Sequence, residues 1–197
     1  TKVDHGLSFE SINSNGVIIH QFGKVPLRRS GRQFRGFSGT IEASDTPTIL
    51  YGTSFQEIFS VSNISDVPSI QLWDTQEVIS LYQAFWKATN FNADISTWNT
   101  SRVTTLEYAF KEAKNFNQNI STKEVTIGDN TYIAWETTKV QSLRDTFYNA
   151  DVFNNNEEPF HWNTYSVRTF ENTFYKSYLF NQDISTKHVT IGSYTFV

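Results

Sequence analysis

The sequence predicts an α/β solenoid with short parallel strands on one side, helices on the other, and a β-rich N-terminal cap. Three observations carry this. A stretch opened by Trp occurs four times, starting at Trp73, Trp98, Trp135 and Trp162; three copies are 25 residues long and one is 27. Within each copy apolar residues recur at fixed offsets. Each copy then closes on a short segment such as Phe-Asn-Gln-Asn-Ile-Ser. Self-similarity at this period marks a repeat architecture, in which one unit cannot bury its own apolar face and needs neighbours.

The helix is predicted from spacing. In the second copy, WNTSRVTTLEYAFKEAKNFNQNIST, the apolar set is Val103, Leu106, Phe110 and Ala113; the others give Val78, Leu81, Phe85, Ala88, then Val140, Leu143, Phe147, Ala150, then Val167, Phe170, Phe174, Ser177. The spacing i, i+3, i+7, i+10 lies on one face of a helix of roughly three turns. The Thr two residues after each Trp (Thr75, Thr100, Thr137, Thr164) is in place to cap it. The strand is predicted from parity: Phe91 and Ile95, Phe116 and Ile120, and Phe180 and Ile184 can point to the same side. One helix plus one short strand per 25 residues makes a leucine-rich-repeat coil. The Asn after each Phe (Asn92, Asn117, Asn154, Asn181) is expected to form a ladder that hydrogen-bonds backbone groups between coils.

Two domains follow: a β-rich cap over 1–47 and a repeat array over 48–197, with hairpin insertions at 123–134 and 187–197. In the cap, LSFESI and GVIIHQF flank Asn13-Ser14-Asn15-Gly16, a strong turn signal, so Leu7–Phe22 is expected as a hairpin. Residues 48–72 read as a degenerate first copy, with GTSFQEIF matching VTTLEYAF. The insertions KEVTIGDNTYIA and KHVTIGSYTFV alternate apolar and polar residues around Gly-containing turns. Thr1 is not a start codon product and the chain has no Met, from which a preceding segment is expected. The chain stops where a further Trp is due, so the last coil is expected to have an open face.

Composition narrows the function classes. With no Cys, disulfides and thiolate chemistry are excluded. Charged residues are only 18%, and aromatic residues reach 16%, a balance closer to extracellular repeat proteins than to cytosolic enzymes. Residues 61–197 hold ten Lys or Arg against fifteen acids, which argues against nucleic acid as a partner. No apolar run is long enough to span a bilayer. His5, His20, His161 and His188 are scattered without metal-ligand spacing, and no nucleotide-binding or nucleophile motif occurs. No cofactor and no catalytic residue are assigned.

WNTSRVTTLEYAFKEAKNFNQNIST resembles the BspA-like leucine-rich repeat found in mycoplasma surface lipoproteins. That pattern runs Trp-Asp-Thr, a Val-Thr-x-Met helix, then Phe-Asn-Gln-Asp-Ile-Ser. The hairpin KEVTIGDNTYIAW resembles inserts in the mycoplasma members. The likeness covers 73–197 well, 48–72 weakly and 1–47 not at all. Where the family commonly has Met, this chain has Leu81, Leu106, Leu143, Phe170 and Ala84, Ala109, Thr146, Thr173. The resemblance implies surface display, adhesion and host interaction, with no catalytic residues.

The expected function is a non-enzymatic extracellular or cell-surface recognition module for a host or matrix protein or glycan. Two alternatives are a subunit that self-associates through its repeat ends into a fibre and a viral host-attachment component. Ligand-binding residues are sought where the copies disagree. One place is the third copy's irregular segment, with Asn155, Asn156, Glu157, Glu158 and His161. Another is the basic run Arg28, Arg29, Arg32 and Arg35. The two hairpins are the third.

Overall fold

The computed structural model describes residues 5–10, 14–185 and 188–196. The expected leucine-rich-repeat solenoid, with helices on one side and a parallel sheet on the other, is overturned. Among these residues there is no α-helix, only two three-residue 3-10 turns at Ile70–Leu72 and Asn155–Glu157. The strands are short and fall into four separate two-stranded sheets. β1 (Ile18–Ile19) pairs in parallel with β2 (Thr40–Ile41), and β3 (Thr53–Ser54) with β4 (Val78–Ser80). β5 (Lys123–Ile127) and β6 (Asn130–Ala134) form one antiparallel hairpin, β7 (Val189–Ile191) and β8 (Tyr194–Phe196) the other.

Backbone hydrogen bonds explain why the predicted helix is absent. The alternate amides of Leu81, Gln83, Phe85 and Lys87 donate to Thr105, Glu107, Ala109 and Lys111 in the next copy, at 3.2, 3.0, 2.7 and 2.9 Å. The amides between them, Ala84, Trp86 and Ala88, donate three residues back to Leu81, Gln83 and Phe85. The Tyr82 amide donates to the Ser80 hydroxyl. Every amide from 81 to 88 is thus satisfied without an i to i−4 bond. The ribbon of turns requires positive φ at two positions per copy, Gln83 (54°) and Lys87 (56°), then Tyr108 and Glu112, Asp145 and Asn149, Asn172 and Lys176. Positive φ on the second central residue is the signature of a type II turn.

The same ribbon begins earlier than the repeat motif does. Arg32, Phe34 and Gly36 donate to Gln56, Ile58 and Ser60, and Arg32 and Gly36 have the positive φ values. The expected Leu7–Phe22 hairpin is not formed. β1 pairs with β2, and Leu7 bridges in parallel to Leu27; Asn13 of the expected turn lies outside the described residues.

Side chains follow the ladder. Phe9, Phe34, Phe59, Phe85, Phe110, Phe147 and Phe174 form one stacked column, with ring centroids 5.0–5.8 Å apart. This is near the spacing of hydrogen-bonded strands, slightly widened by ring thickness and offset. A second column runs Phe91, Phe116, Phe153, Phe180 at 5.9–6.1 Å. The indoles of Trp98, Trp135 and Trp162 donate to the carbonyls of Ile70, Ile95 and Ile120. The Asn ladder is present: Asn92, Asn117 and Asn154 accept the amides of Asn117, Asn154 and Asn181 on their side-chain oxygens. Thr75, Thr100 and Thr137, with no helix to cap, donate to carbonyls of the following copy.

Candidate functional site

The basic run is held by carboxylates. Arg28 donates to Glu10 at 2.7 Å and to the Gly31 carbonyl at 3.0 Å. Arg32 and Arg35 share Glu57, one guanidinium on each oxygen, while Arg32 also reaches Glu10. Burial pushes the Glu57 carboxyl up, but hydrogen bonds from Arg35, Gln56 and Arg32 outweigh it and hold the group below its ordinary value. Arg29 donates to the Tyr51 carbonyl. Gly31 permits this packing: it has φ of 97°, and a Cβ there would meet the Gln56 carbonyl oxygen at 2.6 Å. These arginines hold together the first turns of the ribbon.

The irregular segment of the third copy splits in two. Asn155 is fully buried. Its oxygen accepts the Ile120 amide at 2.8 Å, and its nitrogen donates to the Ser121 hydroxyl and the carbonyls of Glu158 and Pro159. It therefore ties the closing segment of the second copy to the bend of the third. Asn155, Asn156 and Glu157 all have positive φ, and Asn156, Glu157 and Glu158 are exposed around this bend. His161 is half-buried; its amide donates to Ser121 and its carbonyl accepts Thr122. Its side chain lines a cleft of about 310 Å³ with Phe160, Trp162, Phe174, Ile184 and Phe196. The structure does not bring the two predicted sets together. The arginines sit in the first ribbon turn, and the Asn155–His161 segment follows the fifth.

The hairpins build a feature that motif reading did not single out residue by residue. β5–β6 folds back over the starts of the first two copies, and the Tyr132 hydroxyl donates to the Thr97 carbonyl at 2.6 Å. Burial, with the Asp74 carboxylate nearby, raises the Tyr132 pKa. Between the hairpin tip and the copy starts lies a cleft of about 370 Å³, edged by Asp74, Gln76, Asn99, Asn130, Thr131 and Tyr132. The β7–β8 hairpin lies in the same relation to the third and fourth copies. Its Tyr194 hydroxyl meets Asn163 at 3.4 Å and is also hydrogen-bonded to Thr138. The available signal was the placement of a hairpin after every second copy.

A family model described as "Mycoplasma protein of unknown function, DUF285" matches residues 53–187. The chain belongs to the DUF285 family. The match takes in the four Trp-opened copies, the β5–β6 hairpin and the ribbon turn around Phe59. The arginine-bearing turn at 32–37, which has the same hydrogen-bond pattern, lies ahead of the match. No curated protein and no solved structure matches. Among the described residues no group of three His, Asp or Glu is arranged to hold a metal, and no helix is long and apolar enough to cross a membrane.

Proposed function

We propose that this DUF285 chain is a non-enzymatic recognition module displayed at a cell surface or outside the cell, binding a host or matrix protein or glycan. The observation that carries the reading is the division of labour among side chains. The recurrent Trp, Phe, Thr and Asn residues are occupied in ladders between copies. Exposed polar groups outside those ladders include Glu124, Thr126, Asp129, Asn130 and Thr131 of the β5–β6 hairpin and Asn156, Glu157 and Glu158 of the bend. The sequence likeness to BspA-like mycoplasma surface lipoproteins supports surface display. The test is saturable binding of the purified chain to host cells and to immobilised matrix proteins and glycans. A folded chain that binds none of them overturns the proposal.

One observation favours self-association as a second reading. The amides of Phe170, Asn172, Phe174 and Lys176 occupy the positions that donate between copies elsewhere, yet have no acceptor among the described residues. A stacking partner would have to present a row of carbonyls. At the opposite end the Gly31 and Gln33 carbonyls already accept Arg28 and Phe9. Fibre growth would require that end to open. Light scattering that remains monomeric at high concentration removes this reading.

A further inference from the structure

The geometry points to the cleft between the β5–β6 hairpin and the starts of the first two copies as a binding site for a single pyranose-type sugar ring, an assignment that rests on the recognition role proposed above. The argument comes from the molecule's own internal comparison. By sequence order and hairpin register, Asn99 corresponds to Asn163, Gln76 to Thr138, and Asn130 to Tyr194. At the second position the site is filled: the Tyr194 ring reaches over the copy starts, and its hydroxyl lies between the Asn163 amide and Thr138. At the first position the shorter Asn130 leaves the space open. The filled cleft thus shows what the open one accommodates, a six-membered ring with a hydroxyl facing the Asn99 amide.

The edges of the open cleft favour a sugar over a tyrosyl group. A phenol offers one hydroxyl. The open cleft is lined by Asp74, Gln76, Asn99 and Asn130 beside Tyr132, with the Gln76 amide donating to the Asp74 carboxylate at 3.1 Å. Carboxylates and amides that converge beside an aromatic ring suit a ligand with hydroxyls around its rim and an apolar face. The cleft also has fixed walls. Tyr132 is tied to the Thr97 carbonyl, and the Asn99 oxygen is held by the Ser101 amide and hydroxyl, which turns its nitrogen outward as a donor. Little side-chain freedom is lost on binding.

The test is amide-shift titration of the full chain with the methyl glycosides of glucose, galactose and N-acetylglucosamine, with N-acetyltyrosinamide as a separate probe. We expect at least one glycoside to give saturable shifts at Asn99, Asn130 and Tyr132. Asn130→Tyr, which fills the cleft as Tyr194 fills its counterpart, is expected to weaken binding by at least about tenfold with the thermal midpoint retained. If that variant does not fold, Asn99→Asp carries the test. It keeps the acceptor for Ser101 but loses the amide donor, and a weakening of about tenfold is expected. No shift with any glycoside, shifts with the tyrosyl probe alone, or unchanged glycoside binding in a folded variant would overturn the assignment. Attachment to host cells is measured in parallel. Attachment without glycoside binding sinks the cleft and spares the recognition role; glycoside binding without attachment does the reverse.

Discussion

The second copy, Trp98–Thr122, and the fourth, from Trp162, share the apolar pattern but not its burial at every matched position. Leu106 and Ile120 are 1% and 0% exposed, whereas Phe170 and Ile184 are 54% and 64% exposed. The difference lies in what covers them. The second copy is capped by the third, whose carbonyls accept its alternate amides and whose Phe147 stacks on Phe110 at 5.4 Å. The fourth copy has no such cover among the described residues. A copy therefore has no complete core of its own: Trp162 and Phe174 pack on Phe147 of the preceding copy, while positions such as Phe170 and Ile184 need a successor to be buried.

The largest expected effect tests that statement directly. Phe110→Ala should cost about 3–5 kcal/mol in denaturant unfolding, because both neighbours of the ring are lost around a cavity. Phe170→Ala should cost about 1 kcal/mol or less. Equal losses would mean that each copy packs on itself. The next effect concerns polar ladders. Asn155→Ala leaves the buried Ile120 amide without an acceptor and should cost about 2–3 kcal/mol, whereas Asn92→Ala at an exposed rung should cost under about 1 kcal/mol.

Charge pairs should show the same contrast. The Glu57 side chain is 6% exposed and holds two arginines; Glu171 is 55% exposed and holds one. Glu57→Gln should cost about 1.5–3 kcal/mol at neutral pH, and Glu171→Gln under about 1 kcal/mol. The Glu57 pKa is lower in the folded chain than its ordinary value of 4.5, so its contribution is fully present above that value and is lost as pH falls through the folded pKa. Thermal unfolding should accordingly show a wild-type midpoint that drops in acid, with a flatter profile for Glu57→Gln.

The smallest effect separates the ribbon from a helix. Lys87→Gly and Lys176→Gly, at φ of 56° and 60°, should each stabilise the chain by about 0.5–1 kcal/mol by relieving left-handed strain. In a helix interior the same change would destabilise by about 1 kcal/mol. A fall in the thermal midpoint for both would remove the ribbon.

Much of the packing was legible before the structure. Val103, Leu106, Phe110 and Ala113, read as one face, are all buried. The Asn ladder was legible because Asn side chains recurring beside a core Phe have few uses other than bonding backbone. The segment's conformation was not. Residues such as Leu81, Ala84, Phe85 and Ala88 face inward in a chain of four-residue turns as they would in a helix, so apolar spacing does not distinguish the two. A clue lay in the Ser or Thr immediately before each Leu or Phe. Ser80, Thr105, Ser142 and Thr169 each accept the amide two residues on, a local bond that competes with helix. The Arg28–Arg35 run was ambiguous for a different reason: its partners Glu10 and Glu57 are distant in sequence, and pairing across 18 to 25 residues leaves no periodic trace.

By itself the sequence determined the four Trp-opened copies, their spacing, the apolar positions that interior copies bury and the recurrence of a hairpin after every second copy. These depend on residue type and interval, and local chemistry suffices to read them. The tertiary structure decided between helix and turn ribbon, gave Arg28, Arg32 and Arg35 their carboxylate partners, and left one hairpin cleft open while Tyr194 fills the other. Each of those depends on a partner one or more copies away. An amide that finds its carbonyl in the next copy has no use for the one four residues back.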